Sequence, residues 1–503
     1  MSANTNDMSR GKPLKLLLLF TLPMLVSVTF QQLYNIADSV IAGKFLGNDA
    51  LAAVSASYPI TVIFTNIGTG LGVGCSIVCS RAYGEKNFIK LKSAVSTSFL
   101  SFLMIAAALT VIGWFTTEPL LRLLSTPESI MSEAAGYLKF YVLGMVFAFL
   151  YNSCMSAFQA LGNSRIPLYF LIFSTVFNVI VDILFVTVCG MTAWGLSLAT
   201  VIAQGVACVG SVIVLARILH ETGSGTNGDA AAEELPAPEP KRNPFVNIAV
   251  GIKVIISFFF EKKPYKKLDG CALKEIMYIG VPTVVQQSAV SIGQLFIQNL
   301  VNSYGNTVIA GYGAGIKINS FCISILFTTS NALSIFVSQN IGAGKPDRVI
   351  SGTGAATIMV AVTCAVLMAL CLPLSGFLIS LFAEAGEGSD AVIDVGRQML
   401  VAIVPFYAVL SVKSVTDSVL KGAGKMLGFI LGTSVDLLLR VSCAYLFTWL
   451  IDSPSGIWWS WAPGWVIGTA ISLAFYLVYR SRLVRSLRTS PPTPEIIDEL
   501  TGD

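Results

Sequence analysis

Residues 31–57, QQLYNIADSVIAGKFLGNDALAAVSAS, are the stretch on which the interpretation of the chain depends. The stretch continues an apolar run that begins at Leu14, and within that run it carries a carboxylate, Asp38. A carboxylate at membrane depth is costly, so such residues serve as proton relays, cation sites, substrate contacts or members of buried ion pairs. The surroundings of Asp38 therefore indicate a functional site inside a membrane protein.

The composition places the rest of the chain in the membrane as well. Of 503 residues, 54% are hydrophobic and 12% are charged, whereas soluble domains carry about 25% charged residues. The mean hydropathy is +0.74. Long unbroken apolar runs predict helices, which satisfy their backbone polar groups internally, and they lack the alternating pattern of a β-barrel. We predict an all-α integral membrane protein surrounded by the lipid bilayer.

Charge, cysteine and histidine content exclude several classes of protein. The formal net charge is +4, and the basic residues cluster near the ends of apolar segments, which indicates topology signals and no nucleic-acid partner. The ten cysteines form no CxxC pair, and the single histidine, His220, has no partner ligand nearby in sequence. We therefore predict no disulfide framework and no metal site. Without an HExxH or Walker motif, the sequence indicates neither an enzyme nor an ATPase.

About twelve segments are long enough to cross a membrane, which takes about 20 apolar residues. We predict two sets of six helices, at residues 14–41, 51–80, 93–115, 134–160, 167–189 and 193–219, and at residues 272–302, 308–338, 351–382, 392–420, 426–450 and 457–480. The connections are alternately basic and acidic or neutral. The positive-inside rule then places both termini in the cytoplasm of a multi-pass protein of the cell (plasma) membrane.

Four domains follow from this pattern: an N-terminal six-helix lobe at 1–220, a cytoplasmic linker at 221–271, a C-terminal six-helix lobe at 272–482 and a cytoplasmic tail at 483–503. The linker is rich in Gly, Ala, Pro and Glu, which is typical of flexible chain. Its apolar segment 245–260 precedes several lysines. We predict that this segment is an interfacial helix on the cytoplasmic leaflet, with a thirteenth span as the alternative.

The two lobes are related by an internal repeat. LPMLVSVTFQQLY at 22–34 resembles VPTVVQQSAVSIG at 281–293, so that Pro282 corresponds to Pro23. FLGNDALAAVSAS at 45–57 resembles SYGNTVIAGYGAG at 303–315. Each half crosses the membrane an even number of times, so both halves have the same orientation. Parallel repeats of this kind occur in transporters, where the substrate lies between the halves.

With these motifs, the chain resembles the multidrug and toxic compound extrusion (MATE) family of transporters. The resemblance rests on the proline-centred first helix, the 31–57 stretch, QALGNSR at 159–165, SQNIGAG at 338–344, and NVIVD at 178–182 followed by GLSLATVIAQ at 195–204. It implies a two-lobed exporter with twelve helices. Such transporters expel amphiphilic, often cationic drugs or metabolites in exchange for inward H⁺ or Na⁺.

The resemblance also implies a cation-coupling site in the N-terminal lobe, formed by Asp38, Asn178, Asp182 and Thr200. Asn178 and Asp182 are four residues apart and share a helix face. Two carboxylates in low dielectric repel each other, so one should hold a proton or both should hold a cation. Oxygen ligands suit hard cations such as Na⁺. We predict H⁺ or Na⁺ as the coupling ion and no tightly bound cofactor. The alternative is that Asp38 caps a kinked helix and Asp182 pairs with a backbone group.

Two other groups of polar residues lie at membrane depth. The first group could line the substrate cavity or bridge helices, and consists of Gln31, Gln32, Tyr34, Asn35, Gln286, Gln287 and Gln294. The second group is two pairs of opposite charge with helical spacing, Lys413/Asp417 and Asp436/Arg440. We favour structural ion pairing for this C-lobe charge network over a role in proton movement or gating.

Two functions remain open from the sequence. The first is a monomeric secondary antiporter that exports small molecules by alternating access of its two lobes. The alternative is a flippase for a lipid-linked substrate, as found in the related wider superfamily. A flippase cavity should carry several basic residues for a pyrophosphate headgroup. The first two helices contribute Asp38 and polar amides, with Lys44 near the outer end, which favours the exporter.

Overall fold

The computed structural model describes residues 7–124, 126–221, 265–382 and 389–489, and leaves out the side chains of residues 33–40 and a few others inside these ranges. All regular structure within them is helical. The first half contains a short π-helical segment (Ala42–Leu46) and six long helices, α1 (Pro13–Ile41), α2 (Asn48–Gly84), α3 (Phe88–Leu123), α4 (Glu128–Ala160), α5 (Arg165–Thr187) and α6 (Ala193–Glu221).

The second half contains six long stretches of helix, two of them accompanied by short helices. Its elements are α7 (Gly270–Asn302), α8 (Asn306–Gly342), α9 (Pro346–Cys371), α10 (Ser375–Ser380), α11 (Ser389–Ile403), a 3₁₀ turn (Val404–Phe406), α12 (Tyr407–Gly422), α13 (Met426–Ile451), α14 (Ser455–Trp459) and α15 (Trp461–Thr489). The predicted spans 351–382 and 392–420 are both interrupted, after Cys371 and at Val404–Phe406. Pro373 and Pro405 lie at these interruptions. Proline interrupts a helix because it removes a helical hydrogen bond and clashes with the preceding turn.

Eleven helical stretches of the described chain are long and apolar enough to cross a membrane, with α11, the 3₁₀ turn and α12 forming one of them. Helix α7 is not one of the eleven, although its 33 residues span about 50 Å. Its length suffices but its polar side chains lower its hydropathy. With α7, the long helices number twelve within the described ranges, as predicted. The segment 245–260 lies outside the described residues, so the interfacial helix stays a prediction.

The internal repeat is visible in the turns. Helices α2 and α8 both have 37 residues and both follow a glycine in the same unusual conformation, φ 88° and ψ −175° at Gly47 and φ 85° and ψ 175° at Gly305. This conformation is essentially restricted to glycine. Gly162 and Gly424, which precede α5 and α13, also correspond, with φ of 74° and 70°. The two halves therefore correspond in the backbone conformation at these helix starts, as well as in hydropathy.

By contacts the chain forms two compact units. Unit 1 consists of residues 1–7 and 19–292, and unit 2 consists of residues 8–18 and 293–503. Two of the divisions fall inside helices: α1 passes from unit 2 to unit 1 after Leu18, and α7 passes from unit 1 to unit 2 after Ile292. The linker 221–271 lies mostly outside the described residues.

Glycines let α2 and α7 pack at very short range within unit 1. A Cβ atom added to Gly74 would lie 2.4 Å from the backbone carbonyl oxygen of Ile276, and one added to Gly70 would lie 2.6 Å from Val284 Cγ2. Small residues at such positions allow two helix backbones to approach each other in a membrane. These contacts pack the part of α7 before Gly293 against α2 within unit 1.

Candidate functional site

In unit 1, helices α5 and α6 bring together three of the predicted cation-coupling residues. Asn178 and Asp182 lie one turn apart on α5, and Thr200 lies on α6. Their exposed fractions are 1%, 0% and 9%. Asn178 Nδ2 donates a hydrogen bond to Thr200 Oγ1 at 3.4 Å, and Thr200 Oγ1 donates to the carbonyl oxygen of Leu196 at 3.1 Å. The structure therefore places these oxygen-bearing side chains in one buried cluster.

The fourth predicted member, Asp38, has no described side chain, and the same holds for Tyr34 and Asn35. The backbone of α1 is helical through all three. Their roles in cation coupling and in the cavity stay predictions.

A cavity of about 160 Å³ lies beside the buried cluster in unit 1. Asn178 and Thr200 contribute to its wall, as does Gln31 from α1, whereas Asp182 does not. None of the described lining residues carries a formal charge. Asn178 therefore connects a neutral, polar cavity with the fully buried Asp182, which lies one helical turn further along α5.

Most of the cavity wall consists of residues that the sequence interpretation did not single out. Aromatic and polar side chains dominate it, among them Phe64, Thr65, Tyr141, Phe149, Tyr151, Asn152, Ser174, Thr175 and Gln204. Tyr141 and Thr65 share a hydrogen bond of 2.9 Å between their hydroxyl oxygens. The sequence contained a signal for one of these residues, Gln204, which lies four residues after Thr200 in an apolar helix.

The predicted cavity glutamines separate into two groups. Gln31 lines the cavity of unit 1. Gln287 instead accepts a hydrogen bond from Thr69 of α2 at 3.1 Å. It therefore bridges two helices, which is the alternative given above for these residues. Gln32 and Gln286 are half-buried, and Gln294 is exposed on the part of α7 that belongs to unit 2. Their contact with a substrate stays a prediction.

In unit 2 the first of the two predicted charge pairs is a buried ion pair. Lys413 Nζ lies 2.7 Å from Asp417 Oδ2, and the two side chains are 4% and 6% exposed. Lys413 also donates to Thr433 Oγ1 of α13 at 3.2 Å. The charge on Lys413 is thus balanced by a carboxylate on its own helix, and a hydroxyl on the next helix accepts a further hydrogen bond from it.

The second pair is equally buried and rests on tryptophan. Arg440 Nη2 lies 2.9 Å from Asp436 Oδ1, with both side chains 8% exposed. The guanidinium carbon of Arg440 lies 4.4 Å from the ring centroid of Trp461 and 5.9 Å from that of Trp465, both on α15. A cation over an aromatic face gains further electrostatic stabilisation when it is desolvated.

Helix α15 brings the two pairs together. A Cβ atom added to Gly468 would lie 3.0 Å from Asp436 Cβ and 3.3 Å from Lys413 Cε. One added to Gly464 would lie 2.7 Å from Asp436 Oδ1. The glycines make space for the two ion pairs beside α15, and the choice between structural ion pairing and a role in proton movement or gating stays a prediction.

The donor atoms decide which ions the buried cluster of unit 1 could accept. In the described part of the chain, no group of three or more His, Cys, Asp or Glu residues could hold a metal ion. A carboxylate with amide and hydroxyl oxygens suits a proton or a hard monovalent cation better than a transition metal, which prefers imidazole or thiolate.

Comparison with known proteins agrees with this architecture. The MatE family model matches residues 23–184 and 282–446. The "Probable multidrug resistance protein YpnP" of Bacillus subtilis (strain 168) is 28% identical over 479 residues, which cover 94% of this chain and 96% of that protein. The "FAD transporter" of Shewanella oneidensis is 23% identical over 340 residues, covering 66% of each chain.

Solved structures show the same fold. An outward-facing MATE family multidrug resistance transporter of the MOP superfamily matches with a TM-score of 0.79 at 16% identity, covering 96% of this chain and 99% of that one. The predicted fold class, an all-α membrane protein with twelve helices in two lobes, is confirmed. The family model covers more than half of the chain, and the relatives are transporters and not enzymes. The chain therefore belongs to the MATE family of multi-pass membrane transporters, whose members include multidrug exporters.

Proposed function

We propose that this protein is a secondary antiporter that exports amphiphilic, often cationic small molecules in exchange for inward H⁺ or Na⁺. The observation that carries the proposal is the fully buried Asp182, one helical turn from Asn178, which lines with Thr200 a polar cavity whose described wall residues carry no formal charge. A buried carboxylate favours whichever state gives it a proton or a counter-ion. Binding there can bias unit 1 toward one arrangement by the difference in affinity between the two.

The cavity wall favours an amphiphilic cation over an anionic substrate. The aromatic faces of Phe64, Tyr141, Phe149 and Tyr151 can attract a cation. The related FAD transporter acts on a compound that carries two phosphates, and a flippase substrate carries a pyrophosphate. Either anion calls for basic groups, and the described cavity wall has none.

The remaining parts of the proposal follow from the sequence. Alternating access would use the two repeated halves, as in other transporters built from repeats. The basic connections support a cytoplasmic location for both termini. In this proposal the protein acts as a monomer in the plasma membrane.

The experiment measures efflux of ethidium, an amphiphilic cation, from vesicles that contain the full chain, with a pH gradient and a Na⁺ gradient imposed separately. Asp182→Asn should abolish gradient-driven efflux, because it removes the only ionisable group among the three clustered side chains of α5 and α6. Ethidium binding should persist, since Asp182 does not line the cavity. Asn178→Ala should be milder, because it removes a neutral ligand and leaves the carboxylate.

The matched control is Asp347→Asn, which removes an exposed carboxylate at the first turn of α9 and should transport normally. Full coupled efflux by Asp182→Asn would contradict the proposal. Failure of the wild-type protein to move ethidium under either gradient would contradict the substrate class.

A further inference from the structure

The chain just before α1 is bound in a buried polar site of unit 2. Met8 and Ser9 are 0% and 3% exposed. The Met8 N–H donates to Gln339 Oε1 at 3.0 Å, and the Met8 carbonyl accepts from Asn340 Nδ2 at 3.2 Å. Gln339 and Asn340 are both fully buried near the end of α8. Buried amide side chains require partners, and here the backbone of Met8 supplies part of them.

Arg348, in the first turn of α9, completes the site. Its Nη2 donates to the carbonyl oxygens of Met8 at 3.2 Å and Gly11 at 2.9 Å, and its Nε donates to Asn340 Oδ1 at 3.0 Å. The guanidinium also lies 5.8 Å from the ring centroid of Phe336. A planar fork can reach three acceptors at once in a fixed geometry, which a lysine ammonium cannot reproduce.

This site holds a helix that belongs to both units. Helix α1 begins at Pro13, two residues after the bound segment, and remains part of unit 2 through Leu18. From Leu19 it belongs to unit 1, where Gln31 lines the cavity. One continuous helix therefore runs from the cavity of unit 1 to the Arg348 site of unit 2.

We propose that Arg348 is a positioning residue for transport. It fixes the start of α1 in unit 2. Because residues 8–18 then cannot move independently of unit 2, a rearrangement of α1 at the cavity of unit 1 also displaces unit 2. This inference rests on the proposed function for its transport consequence. The anchoring of residues 8–18 by Arg348 stands independently of that function.

The first measurement is hydrogen exchange of residues 8–18 in the full-length protein in vesicles. Arg348→Ala removes three hydrogen bonds from a charged donor, so exchange in this segment should rise by about tenfold or more. Arg348→Lys keeps the charge but loses the fork, and should also raise exchange. Lys86→Ala serves as the control, because it removes the exposed ion pair of 2.7 Å to the adjacent Asp7 and leaves the Arg348 site intact.

The second measurement compares ethidium binding with gradient-driven ethidium efflux in the same variants. Arg348→Ala and Arg348→Lys should lose most of the efflux while ethidium binding changes less than about twofold, since Arg348 does not line the cavity. Lys86→Ala should behave as the wild type in both. A purely structural role would lower binding and efflux together.

Three results would overturn the inference. Unchanged exchange of residues 8–18 in Arg348→Ala would disprove the anchoring. Raised exchange with full efflux would disprove transmission through α1. Equal losses of binding and efflux would reduce Arg348 to a general stabilising residue. If the wild-type protein moves no ethidium under either gradient, the proposed function fails for this probe, and the exchange measurement still decides the anchoring.

Discussion

Replacing Asp436 by asparagine should destabilise unit 2 strongly, because it leaves the Arg440 guanidinium buried without its carboxylate. The two side chains are 8% exposed and 2.9 Å apart. Removing one partner of a buried ion pair costs about 3–5 kcal/mol. Asparagine keeps an oxygen that can accept from Arg440, and we expect the variant to keep the contact between Trp461 and the guanidinium, whose carbon lies 4.4 Å from the ring centroid. We therefore expect a loss near the lower limit, about 3 kcal/mol.

The assay is a double-mutant cycle on the free energy of unfolding, with Asp436→Asn, Arg440→Gln and the combination. The double variant no longer has an unpaired charge, so it should recover part of the loss, with a coupling energy of about 1–3 kcal/mol. The control is Glu128→Gln, which breaks the ion pair of Glu128 with Arg122, whose side chains are 71% and 59% exposed. An exposed pair contributes about 1 kcal/mol or less. A double variant no more stable than the sum of the single losses would refute the pairing.

Two further predictions concern packing and topology. Gly74→Ala should cost about 1–3 kcal/mol of stability by overpacking, because its Cβ would lie 2.4 Å from a backbone oxygen of α7. The control is Gly354→Ala, whose Cβ would meet no heavy atom within 4 Å. Equal thermal stability of the two variants would contradict the close approach of α2 and α7. In a cysteine-free background, a cysteine at Ser389 should react with an impermeant thiol reagent from outside, and one at Ser224 only from inside, as the loop charges predict; labelling at Ser224 from outside would overturn the predicted orientation.

Hydropathy and the internal repeat carried most of the fold prediction. Apolar length predicted most of the long helices, and similarity to the first half supported α7. The structure then showed that the glycines before α2 and α8 share a backbone conformation that only glycine adopts readily. Helical spacing likewise predicted both charge pairs of unit 2, since residues four apart meet on one helix face. The two broken spans were missed, because hydropathy over 20 residues does not respond to a single proline such as Pro405.

Tertiary contacts explain the rest of the difference. Nothing local in the sequence indicates that Thr433 would bond to Lys413 or that Trp461 would cover Arg440, because each pair joins separate helices. The same limit applies to the division of α1 and α7 between the units, which depends on packing along each helix and not on its hydropathy. Asn178 and Thr200 were named together only through the family resemblance, and their hydrogen bond across α5 and α6 is a finding of the structure.

The polar character of α7 has a consequence for the synthesis of this protein. Because α7 is not apolar enough to count among the candidate spans, its transfer from the translocation channel into lipid is expected to need a partner that satisfies its side chains. The structure makes α2 the expected partner: it is made about two hundred residues earlier, and in the folded protein its Thr69 bonds to Gln287 and its Asn66 to Ser291. We therefore expect α2 to remain near the channel until α7 emerges. Substitutions at Asn66 or Thr69 should then cause misinserted protein and rapid proteolysis during biogenesis, a defect that would be mistaken for lost transport unless insertion is measured separately.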